Sequence, residues 1–218
     1  MIALLRTLSF LGNAAIFAGA PLLLGAAWPA AAAIAAALFA LSYWACGRAP
    51  RGEAAPEQAR EAAERAARRM ELPQPRFLRV VPGWTAGAVR AGRGYGLLLG
   101  EDVAPRHREA VLAHEMAHFA AGDLLWEPFT DGPARVLLET TRGLFRVTAI
   151  PFLVFGAPLA RLTELRADRL AADALPAYAE TLREVASKMG PGKGLLYPSL
   201  GERVRHTARH SKGEDQTP

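Results

Sequence analysis

From Thr7 to Cys46 the chain carries no charged side chain. That stretch is about twice the ~20 apolar residues that one membrane helix needs. Gly25, Trp28 and Pro29 interrupt it near the middle. The pattern predicts two apolar helices, about Leu4–Leu24 and Pro29–Trp44, joined by a tight uncharged turn. Trp28 and Trp44 fall where aromatic side chains anchor at a membrane interface. Two rival readings fit the same stretch. Arg6, an apolar core and the small residues Ala18-Gly19-Ala20 resemble a signal peptide, although a second apolar stretch follows at once. A buried helix pair in a soluble protein is the other. Arg6 precedes the hairpin, while Arg48 and Arg51 follow it. The positive-inside rule then places both ends in the cytoplasm.

Beyond residue 48 the chain turns polar. Glu53–Glu71 is rich in Ala, Glu and Arg, with Pro56 near its start. It reads as an exposed helix linking membrane to domain. Its charges read as a solvated face, with a membrane-surface role for Arg65, Arg68 and Arg69 as the lesser alternative. Phe77–Val81 is a short strand. Gly83–Gly94 is glycine-rich and irregular; no Gly-Lys-Ser/Thr closes it, so it is not a phosphate loop. Tyr95–Leu99 is another strand, ended by Gly100-Glu101-Asp102. Pro105 opens a helix anchored by Val111, Leu112 and Phe119 that stops near Gly122-Asp123. Leu124–Leu162 is mostly helical and includes an apolar run, Val147–Ala160, too short to span a bilayer comfortably. Buried, re-entrant and interfacial placements of that run stay open. Helices over Thr163–Asp173, Pro176–Met189 and Ser199–His210 follow, and the polar tail Ser211–Pro218 is expected to be disordered. The expected organisation is a hairpin at 1–48, a linker helix at 49–72, a domain at 73–210 with a membrane-associated segment within 143–160 as one option, and a tail at 211–218.

Composition narrows this picture. The 218 residues are 51% hydrophobic and 22% charged with a net charge of +5, which excludes a wholly disordered chain. The length suits one domain with an appendage. The single cysteine, Cys46, excludes an intrachain disulfide and a thiolate metal cluster. It reads as a small packed residue rather than a lipidation site. The pI near 9.9 raises the question of nucleic acid. The Arg-rich stretches lack interleaved aromatics, so a nucleic-acid partner is not expected.

The chemistry centres on His114-Glu115-Met116-Ala117-His118. Residues four apart share a helix face, about 5–6 Å apart, so both imidazoles can reach one zinc ion. Glu115 lies about 100° round the helix, which places its carboxylate beside such a metal. There it can exchange protons with a bound water and a leaving amine. With five histidines in the chain, a chance occurrence is expected only about 0.01 times. A catalytic zinc needs a third protein ligand and an open position. His206, His210 and downstream carboxylates are candidates, and Glu164 with Asp168 is the best pair. Four apart on a predicted helix, one can ligate while the other holds an imidazole by its free N–H. A plain surface pairing with Arg161 or Arg166 is the competing reading.

Three motifs in order now carry a resemblance: His114-Glu115-x-x-His118, Arg161-x-x-Glu164-x-x-Ala167-Asp168, and Tyr197-Pro198-x-x-x-Glu202-Arg203. The chain resembles the HtpX and CAAX-prenyl-protease (Ste-type) membrane zinc metallopeptidases of the gluzincin clan. The Tyr95–Leu99 strand, Gly122-Asp123 and the N-terminal hairpin fit as well. The resemblance implies an α+β, mainly helical chain: a transmembrane hairpin plus a zincin-like domain with a small β-sheet. It implies one Zn2+ held by His114, His118 and Glu164, Glu115 as general base, and Asp168 orienting a ligand, His114 by preference. Two departures stand out. The family has His-Pro where this chain has Tyr197-Pro198; the Tyr197 hydroxyl could serve an oxyanion or simply pack. Arg203 pairs with a carboxylate near the site or forms a bystander salt bridge. The apolar insertion between the second histidine and the ligand glutamate is also shorter than in HtpX-type members.

The expected function is hydrolysis of unfolded or damaged polypeptides in membrane-associated quality control. The substrate would add a strand to an exposed edge at Tyr95, Gly96, Leu97, Leu98 and Leu99. Expected partners are polypeptide substrate and membrane lipid. The Ala- and Arg-rich composition suits a bacterial chain. For such a chain the consistent location is the inner membrane, multi-pass, with the catalytic domain facing the cytoplasm. The contrasting class is a membrane-anchored, catalytically idle scaffold that keeps a structural zinc; prenyl-protein processing is a third option.

Overall fold

A computed structural model describes residues 1–23, 25–47, 51–83, 86–130, 156–189 and 198–211. The expectations for Tyr197, for most of the 143–160 run and for the tail beyond Ser211 lie outside them. The chain divides into two compact units, Met1–Arg48 with Leu124–Leu162, and Ala49–Asp123 with Thr163–Pro218.

The first unit holds two long helices, α1 (Ile2–Leu23) and α2 (Trp28–Cys46). At about 1.5 Å per residue they are roughly 33 and 28 Å long, against a hydrocarbon core of roughly 30 Å. Both are long and apolar enough to cross a membrane. Proline at the start of α2 suits a first turn, where its missing N–H loses no helical bond. The two helices pack on each other. The Phe39 ring lies 5.3 Å from both Phe10 and Phe17. A 3-10 turn at Glu127–Phe129 sits against them. Its backbone carbonyls meet polar side chains of the pair: the Asn13 amide donates to Phe129 O (3.1 Å) and the Ser42 hydroxyl to Pro128 O (2.8 Å). Buried carbonyls away from water require such partners.

The second unit is helices on a small mixed sheet. Its strands are β1 (Glu53–Ala54), β2 (Leu78–Val81), β3 (Ala86–Ala91) and β4 (Gly94–Gly100), ordered β1-β2-β4-β3. β4 runs parallel to β2 and antiparallel to β3, with Leu98 opposite both Arg79 and Gly87. Gly96 lets the Phe77 ring approach, since a Cβ there would lie 2.1 Å from it.

Three expectations are corrected here. β4 is an interior strand, so Tyr95–Leu99 cannot be an exposed edge. Its unbroken apolar run is what a strand covered on both faces carries, and Tyr95, Leu97 and Leu99 are buried. The irregular 83–94 segment contains β3. The helix that follows Pro56, α3 (Glu57–Arg69), keeps its charged face in solvent as expected but is not exposed all round. Ala59, Ala62, Ala63, Ala66 and Ala67 form a buried stripe at helical spacing. This stripe lets α3 pack closely on α4 (Arg108–Ala120). Arg65 and Arg69 reach Glu109 of α4 at 2.9 and 3.5 Å, and Arg68 reaches Glu64 at 3.6 Å. Those arginines therefore have protein partners.

After α4 come α5 (Asp123–Trp126), α6 (Ala157–Ala174), α7 (Tyr178–Met189) and α8 (Leu200–Ser211). Ser199 caps α8, its hydroxyl accepting from the Glu202 N–H at 3.2 Å.

Candidate metal centre

The site is built on α4, α6, α7 and α8 within the second unit. Pro105 starts a 3-10 turn that leads into α4. On α4, Leu112, Ala113, Met116 and Ala117 point into the core. His114 is buried and His118 partly so. Their rings lie 5.0 Å apart and mutually perpendicular. α6 brings Glu164 between them. Its Oε2 is 3.2 Å from His114 Nε2, and its Oε1 is 3.5 Å from His118 Nε2.

These three residues form a cluster able to hold a metal ion, their ligand atoms all within 4.8 Å of one another. Ligands in tetrahedral array at about 2.0–2.1 Å from a metal lie roughly 3.4 Å apart, close to both separations to Glu164. The same separations are imidazolium–carboxylate hydrogen bonds in the metal-free chain. Glu115, Asp123, Glu164 and Asp168 carry four negative charges against the two positive ones of Arg166 and Arg203. A divalent ion with neutral imidazoles balances that set, and so do two protonated imidazoles.

Behind His114 lies a buried polar network. Its Nδ1 is 3.0 Å from Asp168 Oδ1. Arg203 of α8 forks onto Asp168, with Nη2 at 2.7 Å from Oδ1 and Nε at 2.9 Å from Oδ2. Arg203 Nη1 is also 3.3 Å from Glu164 Oε2. The Tyr178 hydroxyl, at the start of α7, donates to Asp168 Oδ1 at 2.6 Å and sits 3.1 Å from His114 Nδ1. Asp168 is fully buried. Such a carboxylate is tolerated because each of its oxygens has a charged or hydroxyl donor. Behind His118 lies a second carboxylate: Asp123 Oδ2 is 3.0 Å from His118 Nδ1, and Asp123 Oδ1 accepts from Arg166.

Protonation follows this packing. Burial alone would raise the Glu164 and Asp168 carboxyls. Hydrogen bonds from His114, joined by His118 at Glu164 and by Arg203 at Asp168, hold both well below the usual carboxylate range. Burial alone would lower His118. Bonds to Asp123 and Glu164, with the Glu115 charge nearby, instead push it up to about 10. His114 is also raised, because its bonds to Asp168 and Glu164 outweigh burial and the Arg203 charge. Burial and the Asp168 charge push the Tyr178 phenol well above its ordinary value, so it stays a donor.

The structure therefore brings together His114, His118, Glu164, Asp168 and Arg203, with Glu115 half-buried on the same helix. It does not bring the other candidates to this cluster. His210 bonds Asp173 at 2.6 Å, and His206, on the same helix, lies outside the cluster. Tyr95 is a core residue: its ring stacks on Phe119 at 4.3 Å, its hydroxyl donates to Pro73 O at 2.8 Å, and burial pushes its phenol up to about 12. Sequence reasoning missed Tyr178, which no motif marks. It noted Asp123 beside Gly122 but gave it no role.

No protein family, curated protein or solved structure matches this chain.

Proposed function

We propose that the chain is a membrane-anchored, zinc-dependent endopeptidase of the HtpX type, acting on unfolded or damaged polypeptides. The observation that supports it most is the convergence of His114, His118 and Glu164, with Glu115 on the same helix and Asp168 behind His114. The donor set, two imidazole nitrogens and a carboxylate oxygen, is that of a catalytic zinc with room for water and substrate. When bound, zinc supplies Lewis acidity toward a carbonyl and makes a neighbouring water acidic. Glu115 takes the proton of the attacking water and returns it to the leaving amine. Asp168 holds the Nδ1–H of His114, leaving Nε2 free to ligate. Arg203 and Tyr178 hold Asp168.

The outer edge of β3, at Ala86–Ala91, pairs with no strand among the described residues. α4 packs on β3 and β4. An extended polypeptide can pair with that edge through main-chain hydrogen bonds, which read no sequence. α1 and α2 serve as the membrane anchor. The charges at Arg6, Arg48 and Arg51 favour a cytoplasmic catalytic unit.

The test is cleavage of unfolded casein by detergent-purified chain, with and without added zinc. Metal-dependent cleavage that Glu115→Gln abolishes supports the reading. Intact casein with the zinc-loaded wild type leaves the idle scaffold as the better description.

A further inference from the structure

We propose that Asp123 is the positioning residue for His118 and that Arg166 holds Asp123 in place. The inference rests on the metal-centre reading above. His118 lies in the last full turn of α4, with the His114 ring edge-on one turn before it. The chain then reverses. Ala121 and Gly122 close the helix with N–H bonds to Ala117 O and Phe119 O, both at 2.9 Å. Gly122 adopts φ +72°, a left-handed conformation natural to glycine. That reversal returns the next side chain to the imidazole, so Asp123 Oδ2 reaches His118 Nδ1 at 3.0 Å.

The other oxygen, Oδ1, accepts from Arg166. Arg166 comes from α6, two residues beyond Glu164, so the helix that supplies the carboxylate ligand also fixes the carboxylate behind His118. Both partners are largely withdrawn from solvent, with Asp123 at 13% and Arg166 at 28% side-chain exposure. The two imidazoles are thus treated alike. His114 has Asp168 with Arg203, and His118 has Asp123 with Arg166. A carboxylate on Nδ1 fixes the tautomer and the ring, leaving Nε2, on the Glu164 side, as the donor to a metal.

The experiment uses the full chain in detergent, stripped of metal and titrated with cobalt(II). Affinity is read by chelator competition and geometry by the cobalt d–d absorption. Asp123→Ala is expected to lose about 10- to 100-fold in cobalt affinity and to shift the d–d bands. Asp123→Asn, which keeps an acceptor oxygen, is expected to lose less, and Arg166→Ala to change in the same direction as Asp123→Ala. The metal-free melting temperatures show that each variant is folded. If Asp123→Ala does not fold, Asp123→Asn and Arg166→Ala carry the test. Wild-type affinity and an unchanged spectrum in the folded variants overturn the role of Asp123 alone. A wild type that binds no cobalt overturns the metal centre and this inference with it.

Discussion

Glu115 illustrates how spacing decides chemistry at a single residue. His114 and His118 share a face of α4, and Glu115 cannot lie on it. In the proposed site it is therefore left to move protons while the histidines ligate. Glu115→Gln is expected to keep metal content and lower kcat about 10²- to 10⁴-fold, measured on casein at saturating zinc. A second expectation concerns protons. A histidine must be neutral to ligate, yet His118 is raised to about 10 and His114 is raised as well. At pH 7 metal therefore displaces bound protons. Affinity should climb about tenfold per pH unit for each proton released, between about pH 7 and 10. Calorimetry in buffers of different ionisation enthalpy measures the release; a pH-independent affinity over that window contradicts the assigned network. In the metal-free fold the same raised value gives the opposite sign. The stability from His118 is complete below about pH 6.5 and is lost as pH rises toward 10. The residues legible from sequence were those at fixed helical offsets, His114 with His118 and Glu164 with Asp168. Tyr178 was not legible, because it reaches Asp168 only through the turn between α6 and α7. The role of Asp123 depends on one backbone reversal at Gly122, which spacing alone does not reveal.

Among the elements, α3 shows most plainly how composition can mislead. Its charges drew attention to the solvent side, while alanine gives only a faint signal of burial. The stripe Ala59, Ala62, Ala63, Ala66 and Ala67 nevertheless decides its place against α4. Ala66 has no exposed surface. Ala66→Leu should overpack that contact and cost about 1–3 kcal/mol, read as a lower melting temperature of the detergent-purified chain. An unchanged melting temperature would show that α3 is not held there. The strands were partly legible for similar reasons. The apolar run of β4 announces a strand but not its place in the sheet, because a lone run does not show its neighbours. β3, Ala-Gly-Ala-Val-Arg-Ala, has the composition of a loop and is a strand because β4 pairs along all of it.

For the molecule as a whole, the sequence divides most clearly between its apolar first 46 residues and the charged remainder. α1 and α2 match a bilayer in length and composition. The Asn13 and Ser42 bonds to the Glu127–Thr130 turn had no visible signature, since each joins residues far apart in sequence. A membrane-spanning pair predicts that the expressed chain stays with the membrane fraction through alkaline carbonate washing; release into the wash would contradict it. The second unit contains every residue of the proposed metal centre.

In the proposed function this unit holds one zinc ion on His114, His118 and Glu164. Elemental analysis of detergent-purified chain, wild type beside Glu164→Ala, tests it most directly. About one zinc per wild-type chain is expected, largely lost in a variant that remains folded. A wild type that takes up no zinc when metal is supplied, or a variant that keeps it in full, would rule out this site.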